Sequence, residues 1–114
     1  MSKVVLITGA TSGMGKLTAS YLASNGYVVY AGTRNKDNLE SNIENINNIY
    51  IDVTKTDSIK NAVNTIIQKE GKIDVLVNNA GYGLLATIEE GTDEEIFNQF
   101  DVNVFGLIKT TREV

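Results

Sequence analysis

The sequence contains no cysteine, no histidine and no proline among its 114 residues. Without cysteine the chain has neither a disulfide nor a thiol nucleophile. Without histidine the usual Ser-His-Asp and Cys-His mechanisms are excluded for this chain. A catalytic metal would need ligands made only of carboxylates, and the 14 acidic residues show no cluster with ligand spacing. We therefore predict no metal site.

Basic charge and long apolar runs are also scarce. The formal net charge is −4, so there is no basic excess to neutralise phosphates, and we predict no nucleic-acid partner. No apolar run approaches the length of a membrane span, and the run after Lys3 is too short for a signal peptide. These absences predict a cytoplasmic protein without membrane contact, and the length predicts one domain over residues 1–114.

Short apolar runs alternate along the chain with longer segments of helical periodicity. Predicted strands cover residues 4–7, 27–31, 49–51 and 75–77. The predicted helices are residues 16–24, a short segment with Leu39, Ile43 and Ile46, the segment carrying Ile59, Val63, Ile66 and Ile67, and a last segment opened by the capping box Thr92-x-x-Glu95. This alternation predicts the α/β class, a doubly wound parallel sheet of about four strands with right-handed crossovers.

Two of the predicted helices carry a recurring set of large apolar residues. The first has Leu17, Tyr21 and Leu22 on one side. The last carries Ile96, Phe97, Phe100, Val104 and Leu107. We expect these residues to mark the apolar sides of the two helices.

The stretch TGATSGMG, residues 8–15, lies between the first predicted strand and the first predicted helix. Gly9 would let the chain leave the strand in a tight turn, Gly13 would let backbone N–H groups approach a pyrophosphate, and Gly15 would let the helix pack close on the sheet. The helix N-terminus offers unpaired donors and partial positive charge to phosphates, and Ser12 can add a hydroxyl donor. The position of the turn favours a dinucleotide ligand; the alternative is a glycine-rich turn that binds nothing.

The end of the second predicted strand indicates which dinucleotide. NAD sites usually place an acidic residue there to bind the ribose hydroxyls, whereas a nearby arginine accommodates the 2′-phosphate of NADP. This strand runs into Thr33 and Arg34, with no acidic residue before Asp37. Because a guanidinium forms charge-assisted bonds to phosphate, we predict NADP rather than NAD; the alternative for Arg34 is a solvated surface side chain.

Four motifs in order resemble the short-chain dehydrogenase/reductases, in the compact branch with the TGxxxGxG spelling. They are Thr8-Gly9-x-x-x-Gly13-x-Gly15, Asp52-Val53, Asn78-Asn79-Ala80-Gly81 and Val102-Asn103-Val104-x-Gly106. The resemblance covers essentially the whole chain. It implies a Rossmann-like fold, hydride transfer between a nicotinamide cofactor and a small carbonyl or alcohol substrate, and a homo-oligomer.

The same resemblance implies roles for individual residues. Gly9, Ser12, Gly13, Met14 and Gly15 would line the phosphates, and Arg34 with Ser12 would hold the 2′-phosphate. Asp52 and Val53 would contact the adenine, while Asn79, Ala80 and Gly81 would lie along the adenosine ribose and Asn78 would tie the strand end into the sheet. Asn103 would be the family's catalytic asparagine, which helps to hold a water in a proton relay. The alternative for Asn103 is a helix residue bonded to backbone.

The family's acid–base pair, Tyr-x-x-x-Lys, is absent from this sequence. In the family the lysine lowers the pKa of the tyrosine, and a serine polarises the substrate oxygen. The five tyrosines are Tyr21, Tyr27, Tyr30, Tyr50 and Tyr82, and none has lysine four positions later. We therefore predict the N-terminal, cofactor-binding half of such an enzyme, truncated and inactive alone. The alternative is a non-catalytic module that binds a nucleotide or a partner.

A truncated sheet has a consequence for solubility. In the family's strand order, three-two-one-four, the fourth strand is interior, so in this chain residues 75–77 would form an apolar edge strand with unpaired backbone groups. Such an edge invites association. We expect the chain made alone to be poorly soluble or to self-associate.

Overall fold

Four parallel strands form one sheet with helices on both of its faces. The computed structural model describes residues 2–37, 39–41, 43–82 and 89–114. The elements are β1 (Val4–Ile7), α1 (Gly13–Ser24), β2 (Val28–Thr33), β3 (Ile46–Tyr50), α2 (Thr56–Glu70), β4 (Val75–Val77), α3 (Asp93–Phe100), a π-helical segment (Asp101–Gly106) and α4 (Leu107–Glu113). The strand order is β3-β2-β1-β4, which confirms the predicted doubly wound, Rossmann-like sheet.

The central strand β1 is buried because it has a paired strand on each side and a helix on each face. Alternate residues of a strand point to opposite faces. Val5 and its neighbours in β2 pack with Ala19 and Ala23 of α1, while Leu6 and Tyr30 pack with Ile66 of α2. The continuous apolar run at residues 4–7 is therefore the pattern expected of a strand covered on both faces.

Of the three large residues predicted for one side of α1, only Leu22 packs against the core. Gly15, Ala19 and Ala23 are the buried residues of the helix, whereas the side chains of Leu17 and Tyr21 are 72% and 64% exposed. Small residues let the helix axis approach the sheet closely, so the contact is made by side chains that a hydrophobicity pattern weights least. The large residues therefore indicated the packed side of α1 only through Leu22.

The short helix predicted around Leu39, Ile43 and Ile46 is wrong. Ile46 is the first residue of β3 and pairs with Val29, so β3 begins three residues before the predicted strand. Side-chain-to-backbone bonds replace helical ones here, since the Ile43 N–H donates to Ser41 Oγ at 3.3 Å, and Asn45 has a φ of +67°. Polar side chains that bond nearby backbone compete with a short helix and favour turns. Asn38 and Asn42 lie outside the described residues.

The last helical segment begins at the predicted capping box. The Glu95 N–H donates to Thr92 Oγ1 at 3.1 Å, and the Thr92 N–H donates to Glu95 Oε1 at 3.3 Å. Helical backbone then continues from α3 through the π-helical segment into α4, which contacts α2. The apolar residues predicted for this helix are 39–62% exposed; they are Ile96, Phe97, Phe100, Val104 and Leu107.

The strand β4 forms one edge of the sheet among the described residues. Its Val75 is exposed. Just before the strand, the Val4 N–H donates to Asp74 Oδ2 at 2.7 Å, and Lys72 Nζ lies 3.0 Å from the same oxygen. The hydrogen bond from Val4 and the Lys72 ammonium hold the pKa of Asp74 below its ordinary range. Within the described ranges, no helix has the length and hydrophobicity needed to cross a membrane.

Candidate functional site

An open cavity of about 880 Å³ lies at the carboxyl ends of the strands. This is where open parallel sheets bind their ligands. Four loops and the middle of the last helical segment contribute its lining: Gly9, Thr11, Ser12, Met14, Thr33, Arg34, Asn35, Ile51, Asp52, Val53, Thr54, Asn79, Ala80, Gly81, Tyr82, Asn98, Asp101 and Val102. Nine of the predicted cofactor residues are in this set. Gly13 and Gly15 are not.

The glycine turn packs tightly against the loop that follows β4. Gly9 has a φ of +62°, and a β-carbon added there would lie 3.0 Å from Ala80 Cα. A β-carbon at Gly15 would meet the Asn79 side-chain amide and would lie 2.5 Å from the Gly9 carbonyl oxygen. Gly13 has a φ of +56° but open space around it. Gly15 thus allows close packing, and Gly13 supplies a backbone conformation that other residues rarely adopt.

A buried threonine hydroxyl joins the ends of β1 and β4. Thr8 Oγ1 accepts the backbone N–H groups of Asn79 at 3.1 Å and of Ala80 at 3.0 Å. Asn79 Nδ2 donates in turn to the Gly9 carbonyl at 3.0 Å. These three bonds fix one wall of the cavity. Thr8 was not predicted as a site residue, although a hydroxyl directly after a fully apolar strand was an available signal.

The two asparagines after β4 have different partners. Asn79 makes the tie to the β1 turn, whereas Asn78 Nδ2 donates to Thr111 Oγ1 of α4 at 3.0 Å. The predicted role of Asn78 in tying the strand end into the sheet is therefore carried by Asn79, and Asn78 connects the strand end to a helix.

The end of β2 presents a cation to the cavity. Thr33 is buried, and its Oγ1 accepts the Asn35 N–H at 3.1 Å. Arg34 between them is exposed and lines the cavity. Among the cavity residues from this strand end, none is acidic.

Asp52 after β3 is a carboxylate with two local donors. Its Oδ1 accepts the Thr54 N–H at 3.0 Å and the Thr54 hydroxyl at 2.6 Å. Burial opposes ionisation, but these hydrogen bonds, with the charges of Lys55 and Arg34, outweigh it and place the pKa of Asp52 below its ordinary value. The carboxylate is therefore ionised at neutral pH.

Asn103 does not line the cavity, but its side chain bonds to a residue that does. It lies in the π-helical segment, and its side chain bonds both backbone groups of Tyr82, which does line the cavity. Oδ1 accepts the Tyr82 N–H at 2.9 Å, and Nδ2 donates to the Tyr82 carbonyl at 2.5 Å. Gly81 permits this contact, since a β-carbon there would lie 3.0 Å from Asn103 Oδ1.

The α3 side of the cavity was not predicted from the sequence. Asn98, Asp101 and Val102 come from the end of α3 and the first turn of the π-helical segment. Nothing in their local pattern distinguishes them from other helix residues, because only the docking of the last helical segment brings them to the cavity. The helix docks closely, since a β-carbon at Gly106 would lie 2.6 Å from Val53 Cγ2.

The chain belongs to the short-chain dehydrogenase family. The family model described as short chain dehydrogenase matches residues 3–114. The chain is 41% identical over 112 residues to a 3-ketodihydrosphingosine reductase of Bacteroides thetaiotaomicron, covering 98% of this chain and 40% of that protein. It is 39% identical over 119 residues to the 3-oxoacyl-[acyl-carrier-protein] reductase FabG of Thermotoga maritima, covering 98% of this chain and 48% of that protein.

Solved structures of family members share the fold. A variant of ElxO with NADPH bound superposes with a TM-score of 0.90 at 31% identity, covering 99% of this chain and 49% of that one. The chain therefore spans about half the length of the relatives that it matches. The predicted family is confirmed.

Proposed function

We propose that these residues are the NADP(H)-binding half of an oxidoreductase that transfers a hydride between NADP(H) and a small carbonyl or alcohol substrate. The observation that carries the proposal is the cavity at the carboxyl ends of β1 and β4, which has the glycine turn on one side and Arg34 on another. When bound, NADP(H) supplies or accepts the hydride. The residues of this chain bind and orient it.

The phosphates fit the turn between β1 and α1. Ser12 is the N-cap residue of α1, and its side chain makes no capping bond. The first-turn N–H groups and the Ser12 hydroxyl can therefore donate to phosphate oxygens, with the helix dipole adding to the attraction. A β-carbon at Gly9 or Gly15 would close the turn against the β4 loop, which is why these two positions suit a close backbone approach.

NADP is favoured over NAD by the charge at the end of β2. Arg34, with Ser12, would hold the 2′-phosphate through charge-assisted bonds. The NADPH bound to the ElxO variant agrees with a nicotinamide dinucleotide in this part of the family. Asp52 and Val53 would contact the adenine, and Asn79, Ala80 and Gly81 would follow the adenosine ribose.

Asn103 is the proposed catalytic residue within this chain, acting in a proton relay of the complete enzyme. The chain has no Tyr-x-x-x-Lys pair, so we propose that it is inactive alone. We further propose a homo-oligomer in the cytoplasm for the complete enzyme. A second candidate is a non-catalytic partner-binding module, favoured by the exposed apolar residues along α3 and α4.

The test is a direct titration of the chain with NADPH and with NADH, in which calorimetry measures binding. We expect saturable binding with a preference for NADPH, and no turnover with aldehyde or ketone substrates. Binding of neither dinucleotide would overturn the proposal and favour the partner-binding module, which ultracentrifugation would then examine. Turnover by the purified chain would overturn the claim that it is inactive.

A further inference from the structure

Met14 combines full access to solvent with a place in the cavity. At 79% exposure it is the most exposed of the large hydrophobic side chains in the described ranges. It lines the cavity beside Ser12. The chain has no cysteine and only one other methionine, Met1, so Met14 carries the one sulfur atom among the residues that the structure describes.

Met14 lies in the first turn of α1, between two glycines of the turn that follows β1. Gly13 before it has a φ of +56°, and Gly15 after it packs against the β4 loop. The Met14 carbonyl accepts the Thr18 hydroxyl at 2.8 Å, within the first turn of α1. Because Met14 lines the cavity, the dinucleotide of the proposed function would cover its thioether.

We propose that Met14 is an oxidation site through which peroxides weaken dinucleotide binding. The thioether sulfur attacks one oxygen of a hydroperoxide, the O–O bond breaks, the sulfur is oxidised by two electrons to the sulfoxide, and the other oxygen leaves as water or alcohol. The thioether is apolar and soft, whereas the sulfoxide is polar with a negative oxygen. Beside the proposed phosphate turn, that oxygen repels the phosphates and the apolar contact is lost.

Two effects follow, and both rest on the proposed function. A bound dinucleotide covers Met14 and protects it, so at an NADP⁺ concentration about ten times its Kd the oxidation should slow about tenfold. Complete oxidation should raise the Kd by roughly two- to tenfold, the range expected when a contact of this kind is lost.

The experiment treats the full chain with hydrogen peroxide, with and without NADP⁺, and maps the products by mass spectrometry. Trypsin cleavage after Lys3 and Lys16 separates Met14 from Met1. A methionine-containing peptide added to each reaction reports the peroxide concentration. NADP⁺ affinity is measured before treatment, after treatment, and after methionine sulfoxide reductase. The Met14→Leu variant, which has no thioether at this position, goes through the same steps.

Protection by NADP⁺, a raised Kd after oxidation, recovery with the reductase, and no peroxide-dependent change in Met14→Leu would together support the proposal. Equal oxidation with and without NADP⁺, or an unchanged Kd after complete oxidation, would overturn it. Absence of NADP⁺ binding before any peroxide is added would instead show that the proposed function has failed, and the inference with it.

Discussion

The Asn103 side chain forms two hydrogen bonds with the backbone of Tyr82, accepting its N–H at 2.9 Å and donating to its carbonyl at 2.5 Å. The residues are 21 positions apart in sequence, and one lies in a π-helical segment while the other lies in the loop after β4. π-helical turns occur frequently at functional sites. Here the π-helical turn carries Asn103, whose side chain connects the last helical segment to the loop after β4.

Replacing Asn103 with Ala should loosen that wall. Loss of a typical hydrogen bond costs about 1 kcal/mol, so exchange of the Tyr82 amide hydrogen should speed by roughly fivefold. Native-state hydrogen exchange by NMR measures this. Asn64→Ala on the exposed surface of α2 is the matched control. Unchanged exchange at Tyr82 would mean that the side-chain clamp does not hold the loop in solution.

Thr8→Val should destabilise the whole fold. Valine keeps the shape but removes the acceptor for the N–H groups of Asn79 and Ala80. A buried donor left without a partner costs about 1–3 kcal/mol, and these two donors are part-buried, so the free energy of unfolding should fall by about 1–2 kcal/mol. Urea unfolding followed by circular dichroism measures it. Thr65→Val, on the surface of α2, should change it far less. Equal losses in both variants would contradict the role of Thr8.

Arg34→Ala should weaken the binding of NADPH much more than the binding of NADH. Hydrogen bonds to charged groups contribute about 1.5–3 kcal/mol, so NADPH binding should weaken roughly tenfold or more while NADH binding changes little. Calorimetric titration of both ligands gives the comparison. Arg112→Ala, which removes the other arginine of the chain, controls for net charge. If NADPH and NADH weakened equally, Arg34 would not hold the 2′-phosphate.

Because of Asp74, the free energy of unfolding should fall as the solution becomes acidic. Its pKa is lower in the folded chain than its ordinary value, because of the hydrogen bond from Val4 and the Lys72 ammonium. The unfolded chain therefore binds the proton more readily, and the stabilisation is present above the ordinary pKa and lost as the pH falls through the folded one. Unfolding measured from about pH 6 to about pH 3 should show this loss.

The Asp74→Asn variant should lose stability less steeply over the same acid range. Asp37→Asn, at an exposed position after β2, serves as the control carboxylate. A slope unchanged from that of the natural chain would assign the acid sensitivity to other groups.

Local pattern predicted the sheet because β1, β2 and β4 contain short apolar runs between turn residues. It failed for α1, where glycine and alanine make the buried contact, and for the segment before β3, where polar side chains bond the backbone. That residues of the glycine turn and Arg34 lie together at one cavity was predictable, since both belong to one continuous βαβ unit. The contributions of Thr8, of Asn98 in α3 and of Asp101 in the π-helical segment were not predictable, because they depend on contacts between distant parts of the chain.

The most direct test of a dinucleotide site at the carboxyl ends of the strands is an NMR titration of the ¹⁵N-labelled chain with NADPH. We predict saturable shifts that cluster at the amides of Gly9, Ser12 and Arg34, at Asp52, and at Ala80, with little change along α2. No saturable shift, or shifts centred on the exposed face of α3 and α4, would contradict the account.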